Sequence, residues 1–119
     1  FRRVLFRSDL DFFETLPISQ SIRFDGMEPV LACHGTPFEN QKALLSENEF
    51  VQKCEERYII CGHTHMQGFV PDGKKKIINA GAVGVPLKSP KKTQYMILTS
   101  DGKDWKPEFL SLEYQAIKI

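Results

Sequence analysis

The stretch that most constrains this chain is Tyr58–Met66, where a short apolar run is followed by a glycine and two histidines. The run Tyr58–Cys61 predicts a buried strand, and Gly62 allows the backbone to turn at its end. Residues i and i+2 face the same way on a strand or the turn leaving it, but nearly opposite ways on a helix. We therefore expect His63 and His65 to project together from a strand end. Neutral imidazoles in this arrangement indicate a site for one or two divalent metal ions.

Two further motifs flank this stretch. The segment Val30–Pro37 reads Val-Leu-Ala-Cys-His-Gly-Thr-Pro, and Ile77–Pro86 reads Ile-Ile-Asn-Ala-Gly-Ala-Val-Gly-Val-Pro. In this order, the three motifs resemble the His-Gly-Ser/Thr-Pro strand end, the Gly-His-Thr-His motif and the Asn-Pro-Gly-Ser-Val-Gly-x-Pro loop of the calcineurin-like metallophosphoesterase superfamily. The resemblance runs from Asp9 to Tyr114 and is closest to the small bacterial YfcE-like phosphodiesterases.

The resemblance implies an α/β fold, the C-terminal half of a four-layer α-β-β-α sandwich with a mostly antiparallel or mixed sheet and outer helices. The family's N-terminal motifs, Asp-x-His-Gly-Asn, Gly-Asp-x-x-Asp and Gly-Asn-His-Asp/Glu, do not occur in this sequence. We therefore expect residues 9–119 to form the C-terminal half of a metallophosphoesterase domain. One face of its sheet should then be exposed, and an apolar patch of that kind predicts homo-oligomers. The side chains expected there, or their alternating neighbours, are Leu31, Ile59, Ile78 and Ile97.

The resemblance also implies a site with two divalent metal ions, manganese-type, with zinc, iron(II) or nickel as alternatives. His34 and His63 match ligands of one ion, and His65 matches a ligand of the other. The bridging aspartate and the histidine that protonates the leaving group belong to the absent motifs, so we predict no catalytic residue in this chain. The implied activity is hydrolysis of a phosphodiester or phosphomonoester, in a small molecule or a nucleotide. We expect the complete protein to carry it and this chain alone to be inactive.

Several alternatives compete with this interpretation. The chain could be a metallophosphoesterase-like scaffold that binds a protein partner without catalysis, or a mononuclear module that holds one metal through histidine alone. Each histidine could instead have a structural, hydrogen-bonding role. Cys61 and His63 could form a nucleophilic pair, although a spacing of two gives them little reach. Asn79, Gly81 and Gly84 are interpreted as a tight loop that supports the ligands.

The segment Phe1–Ser8 resembles the translation of a sequencing-adapter oligonucleotide, so residues 1–8 are predicted to be non-native and outside the fold. Without its three arginines, the 16 basic residues fall to 13, against 15 acidic ones, and the formal charge changes from +1 to −2. This balance argues against a basic surface for nucleic acid. No apolar run is long enough for a membrane span. Three cysteines without paired spacing favour reduced thiols in a cytoplasmic protein.

The remaining pattern predicts short elements joined mainly by hairpins. Turn signals occur at Asp25-Gly26, Asp72-Gly73 and residues 100–103, and residues 88–92 form a basic loop. Helices are predicted over Asp9–Thr15, Glu39–Ser46 and Asn48–Arg57. In the first of them, Leu10 and Phe13, with Phe12 as a further candidate, are expected to face a core. Further strands are predicted over Ser21–Asp25, Pro29–Cys33, Gln67–Pro71, Lys76–Asn79, Tyr95–Leu98 and Trp105–Glu113.

Overall fold

A computed structural model describes residues 6–46, 49–70, 74–84, 86 and 92–113 and confirms the α/β class. Two helices and seven strands occur within these ranges. In chain order they are α1 (Arg7–Thr15), β1 (Ser19–Ile22), β2 (Val30–Cys33), α2 (Glu49–Gln52), β3 (Tyr58–Cys61), β4 (Gly68–Phe69), β5 (Lys76–Asn79), β6 (Lys92–Ser100) and β7 (Trp105–Glu113).

The strands form one mixed five-stranded sheet and one hairpin. The order in the larger sheet is β1-β2-β3-β5-β4, and β6 pairs with β7 alone. The strands β2, β3 and β5 run parallel, while β1 and β4 pair antiparallel at the two edges. Because the three central strands are parallel, their carboxyl ends lie at the same edge of the sheet.

Both faces of the central strands carry buried apolar side chains. Leu31, Ile59 and Ile77 are aligned in register and pack with Leu44 and Val51, which belong to the connection between β2 and β3. Parallel strands buried in this way on both sides carry continuous apolar runs rather than alternating ones. For this reason, the apolar pattern of these strands does not show which side chains point to which face of the sheet.

The β6–β7 hairpin packs against part of the opposite face of the sheet, on which Ala32 and Ile60 are only partly buried. Ile78 points to this face, because it follows Ile77 in the strand. Phe69 lies opposite Ile78 in register, and its ring meets the ring of Phe109 edge-on with centroids 5.7 Å apart. The β7 strand therefore packs over the face that carries Ile78.

The prediction of an exposed sheet face is wrong for the central strands. Leu31 is 7% exposed, and Ile59 and Ile78 are 0% exposed. The prediction assumed that the second layer would come only from the family's N-terminal half, which this sequence lacks. In the structure, strands β6 and β7 of the chain itself pack over the sheet. Exposed apolar side chains occur instead on the outer face of the hairpin, where Ile97 is 46% and Leu112 is 56% exposed.

The helices differ most from the predictions. Residues 39–46 contain turns but no helix, and α2 is only four residues long. The Thr36 hydroxyl accepts hydrogen bonds from the backbone N–H groups of Phe38 and Glu39 at 3.2 and 2.9 Å. The Glu39 carbonyl in turn accepts from the Thr36 N–H at 3.0 Å, whereas in a helix it would accept from the N–H four residues later.

The first helix begins at Arg7, two residues before the predicted start, and none of its residues is buried. The prediction that Leu10 and Phe13 face a core is therefore wrong within the part of the chain that the structure describes. Residues 1–5 lie outside that part, and the non-native origin of residues 1–8 stays a prediction. No helix in the described ranges is long and apolar enough to cross a membrane.

The predicted hairpins agree with the structure. β1 and β2 pair antiparallel across a turn at Asp25-Gly26, where Gly26 has φ +76°, although β1 begins two residues before the predicted strand. The turn between β6 and β7 lies at residues 101–104, and β6 begins three residues earlier than predicted. β4 and β5 pair antiparallel as expected. The Asp72-Gly73 turn and residues 88–91 lie outside the described residues.

A polar network joins the hairpin to the amino ends of the parallel strands. The Tyr58 hydroxyl donates to Asp104 Oδ1 at 3.2 Å, and Trp105 Nε1 donates to the Glu28 carbonyl at 2.9 Å. Arg57 Nη1 lies 3.7 Å from Glu28 Oε1 and 3.8 Å from Asp104 Oδ1. We call these five residues the amino-end network.

Candidate metal centre

The three histidine and asparagine motifs meet where the parallel strands end. His34 follows β2 directly, His63 follows β3 after one glycine, and Asn79 is the last residue of β5. The Gly62 N–H donates to the His34 carbonyl at 2.8 Å, so the backbones of the first two motifs are joined. In open α/β sheets, ligands bind beyond the carboxyl ends of the strands. The candidate site therefore lies at the edge where this fold class places sites.

His34 and His63 form a close pair. His34 Nε2 lies 3.3 Å from His63 Nδ1, and the ring centroids are 5.2 Å apart with planes at 78°. Two nitrogen ligands 2.0–2.1 Å from a tetrahedral ion would be about 3.3 Å apart. Both nitrogens therefore suit one divalent ion. Without an ion, the same separation suits an N–H···N hydrogen bond, so the metal-binding and hydrogen-bonding interpretations share one geometry.

His65 does not complete a cluster with this pair. It is half-buried, and in residues 6–46, 49–70, 74–84, 86 and 92–113 no three histidine, cysteine, aspartate or glutamate side chains converge as a metal site. The structure thus brings together two of the three predicted ligands, His34 and His63. The assignment of all three as metal ligands stays a prediction.

The histidine loop has an unusual backbone. His63 has φ +67° and His65 has φ +60°, both in the left-handed region. A non-glycine residue held there costs about 1–3 kcal/mol and persists only when its surroundings enforce it. The spacing of two predicts a common direction on extended backbone, whereas both histidines lie in a tight turn. The surroundings of this turn are therefore part of the site.

Asn79 holds the turn from the neighbouring strand. Its side chain is almost fully buried, and its Nδ2 donates to the Gly62 carbonyl and to Thr64 Oγ1, each at 2.8 Å. Its Oδ1 accepts from the Gly81 N–H at 2.9 Å. The interpretation of Asn79 as a support for the ligand loop agrees with these contacts.

Gln67 is a second amide at the site, and no motif in the sequence marks it. Its Nε2 lies 2.9 Å from the Tyr95 carbonyl, 3.2 Å from the Leu110 carbonyl and 3.3 Å from the Ala80 carbonyl. One side chain two residues after His65 therefore contacts both strands of the hairpin and the loop after β5. A glutamine in a predicted strand gives no local signal for such contacts.

The cysteines near the site are free thiols. Burial raises the pKa of Cys33 to about 11 and the pKa of Cys61 to about 12. Thiolate, not thiol, is the nucleophile, so both groups are unreactive near neutral pH. This argues against a Cys61–His63 nucleophilic pair.

An open groove of about 500 Å³ lies beside His34. Its lining includes the apolar residues Phe13, Leu16 and Ile18 and the amide residues Gln20 and Asn40. Among the described residues, no charged side chain lines this groove. It therefore offers apolar and amide surface next to the histidine pair.

Comparison with known proteins agrees with the family resemblance of the three motifs. A family model described as the calcineurin-like phosphoesterase superfamily domain matches residues 5–103. No curated protein matches the sequence.

Two solved structures resemble the fold. A hypothetical protein from Pyrococcus horikoshii OT3 matches 91% of this chain with a TM-score of 0.71 at 16% identity. A single mutant of Vps29 from Entamoeba histolytica matches 84% of this chain with a TM-score of 0.53 at 18% identity. This chain covers 45% of the first of those chains and 63% of the second. At these identities the likeness concerns the fold alone.

Proposed function

The chain belongs to the calcineurin-like phosphoesterase superfamily, and on this premise we propose that it carries metal ligands of a phosphoester-hydrolysing centre. In the proposal, His34 and His63 bind one divalent ion and His65 binds a second. Manganese is the preferred metal, with zinc, iron(II) or nickel as alternatives. The substrate is a phosphodiester or phosphomonoester in a small molecule or a nucleotide.

The observation that carries the proposal is the pair of imidazole nitrogens 3.3 Å apart at the carboxyl ends of β2 and β3. This separation matches two nitrogen ligands on one ion. Neutral imidazole is a ligand at physiological pH, and it suits borderline divalent ions. When bound, such ions polarise phosphoryl oxygens and supply a nucleophilic hydroxide near neutral pH.

The residues of this chain have limited roles in the proposed reaction. His34 and His63 hold and orient an ion but bring no negative charge to balance it. The proposal therefore includes carboxylate ligands and a proton donor from sequence beyond this chain, which covers 45% of the Pyrococcus protein. A general acid contributes typically about 10²–10⁴-fold to rate. The chain alone should not hydrolyse an aryl phosphodiester.

The first test is calorimetric titration of Co²⁺ and Mn²⁺ into the 119-residue chain and three alanine variants. His34→Ala and His63→Ala should each abolish binding, because each removes one of two ligands. His65→Ala should retain it, since His65 is assigned to the other ion. A mononuclear module built from all three histidines predicts equal loss in every variant, and that result would contradict the proposed division of ligands.

A second test concerns hydrolysis. The chain is joined in frame to a metallophosphoesterase N-terminal half that carries the three absent motifs, and turnover of an aryl phosphodiester is measured with manganese. His63→Ala and His65→Ala should each remove most of that activity. Absence of turnover in a folded fusion that binds two ions would favour the non-catalytic scaffold instead.

A further inference from the structure

We propose that Asn79 is a positioning residue that fixes His63 in the orientation in which it pairs with His34. The inference concerns the shape of the loop, and its link to metal binding rests on the proposed function above. Asn79 acts through the residues on either side of His63, because its amide donates to the Gly62 carbonyl and the Thr64 hydroxyl.

The hydrogen bonds of Asn79 fix the orientation of its amide. The Gly62 carbonyl can only accept and the Gly81 N–H can only donate, so Nδ2 must face Gly62 and Oδ1 must face Gly81. The second N–H of Nδ2 is used by Thr64 Oγ1. Because only 2% of the residue is exposed, these bonds are shielded from solvent. A carboxylate of the same shape could not make the two donated bonds.

The two donated bonds lie on both sides of His63. One reaches the carbonyl of the preceding residue, Gly62, and the other reaches the side chain of the following residue, Thr64. Between them, His63 has φ +67°. The bonds thus close the loop around the strained residue, and they offset the cost of its conformation.

The same contacts connect three strands to the ligand pair. Asn79 on β5 binds the carbonyl of Gly62 after β3, and the Gly62 N–H binds the carbonyl of His34 after β2. The imidazole nitrogens lie 3.3 Å apart, and in the proposal both links hold them at this separation. Loss of the Asn79 bonds should therefore move His63 relative to His34 even if the sheet remains folded.

The experiment compares Asn79→Asp with a matched change, Gln94→Glu. Gln94 Oε1 accepts from the Ala82 N–H in the loop after β5, and a glutamate keeps that acceptor as well as the Asn79 bonds to Gly62 and Thr64. Two quantities are measured on the full chain: the nuclear Overhauser contact between the His34 and His63 rings, and the affinity for Co²⁺. Asn79→Asp should lose the ring contact and bind Co²⁺ about 10- to 100-fold more weakly. Gln94→Glu should preserve both.

Thr64 provides a second pair of variants in case Asn79→Asp does not fold. Thr64→Val removes the hydroxyl that accepts from Asn79 and should also weaken the ring contact. Thr64→Ser keeps the hydroxyl and should preserve it. Retention of the ring contact in folded Asn79→Asp, or in Thr64→Val, would overturn the inference.

The outcomes separate this inference from the proposed function. If the unsubstituted chain shows the ring contact but binds no Co²⁺, and Thr64→Val loses the contact, positioning by Asn79 is supported and the metal proposal fails. If Co²⁺ binds and the contact is unchanged in Thr64→Val, the metal proposal stands and the positioning role is excluded.

Discussion

The two ends of the parallel strands β2, β3 and β5 are built from different chemistry. The carboxyl ends carry imidazole and amide groups, and the non-glycine residues with positive φ among those described, His63 and His65, both lie there. The amino ends carry the amino-end network, in which the ion pairs of Arg57 and the hydrogen bonds of Tyr58 join the sheet to the hairpin.

This difference separates stability from function along one set of strands. Strained backbone at the carboxyl ends needs a rigid support. The amino ends instead attach the hairpin to the sheet, and they do so without such strain. A substitution in the amino-end network should therefore lower the free energy of unfolding and leave the histidine pair intact. A substitution at the carboxyl ends should change the histidine pair by more than its effect on stability suggests.

The largest expected effect is that of Trp105→Ala. The indole meets the Phe24 ring edge-on at 5.3 Å and donates to the Glu28 carbonyl, so its removal loses packing and a hydrogen bond. We expect the free energy of unfolding to fall by about 3 kcal/mol, measured by urea denaturation. Trp105→Phe, which keeps an aromatic ring, should cost about 1 kcal/mol. A loss of the His34–His63 ring contact in folded Trp105→Ala would break the proposed separation.

Gly81→Ala should have the next largest effect, at the other end of the strands. Gly81 has φ +89°, and a Cβ there would lie 2.5 Å from Gln94 Oε1 and 2.9 Å from Gln94 Cβ. We expect a loss of about 2 kcal/mol from strain and displacement of Gln94. Gly26→Ala is the matched control, because Gly26 has φ +76° with no atom within 4 Å of a new Cβ. Equal losses in the two variants would show that crowding against Gln94 is unimportant.

Tyr58→Phe is a smaller change in the amino-end network. It removes the hydrogen bond to Asp104, and we expect a loss of about 1 kcal/mol at neutral pH. Burial raises the pKa of the Tyr58 phenol. Because the folded pKa lies above the unfolded value near 10, this contribution is present below about pH 10 and is lost as the pH rises through the folded pKa. If the free energy of unfolding fell equally with rising pH in Tyr58→Phe and in the unsubstituted protein, this contribution of Tyr58 would be contradicted.

The smallest effect concerns Asp101 in the turn between β6 and β7. Its carboxylate accepts from the N–H groups of Asp104 and Lys103 at 2.6 and 3.0 Å, and these bonds lower its pKa. The stabilisation is therefore present above the unfolded pKa near 4 and is lost as the pH falls through the folded value. Asp101→Asn should flatten this acid limb of the stability curve. An unchanged acid limb would show that the turn contributes nothing measurable.

The sequence predicted what short-range patterns determine. Apolar runs identified the strands β2, β3 and β5, and Asp25-Gly26 identified a hairpin. The order of the three motifs indicated the family, and the family match over residues 5–103 agrees. These features depend on residues close together in the chain, so they could be derived without a structure.

Features that depend on distant residues were not predictable in the same way. The covering of Ile78 by β7 depends on where a later hairpin returns, and the turn around Thr36 replaced an expected helix. The contacts of Gln67 reach carbonyl groups 13 to 43 residues away. Carbonyl groups carry no sequence information, so nothing in the local pattern could identify Gln67 as a contact residue.

The placement of Asn79 also has a consequence for the order of folding. His63 Nδ1 lies 29 positions along the chain from its partner His34, and the amide that closes its loop bonds back over 17 positions to Gly62. The loop can therefore take its left-handed shape only after β5 has paired with β3. Non-local pairing of this kind is slow compared with local contacts. We expect the imidazole pair to form in the last kinetic phase of refolding, so an ion added early would encounter two separate imidazoles.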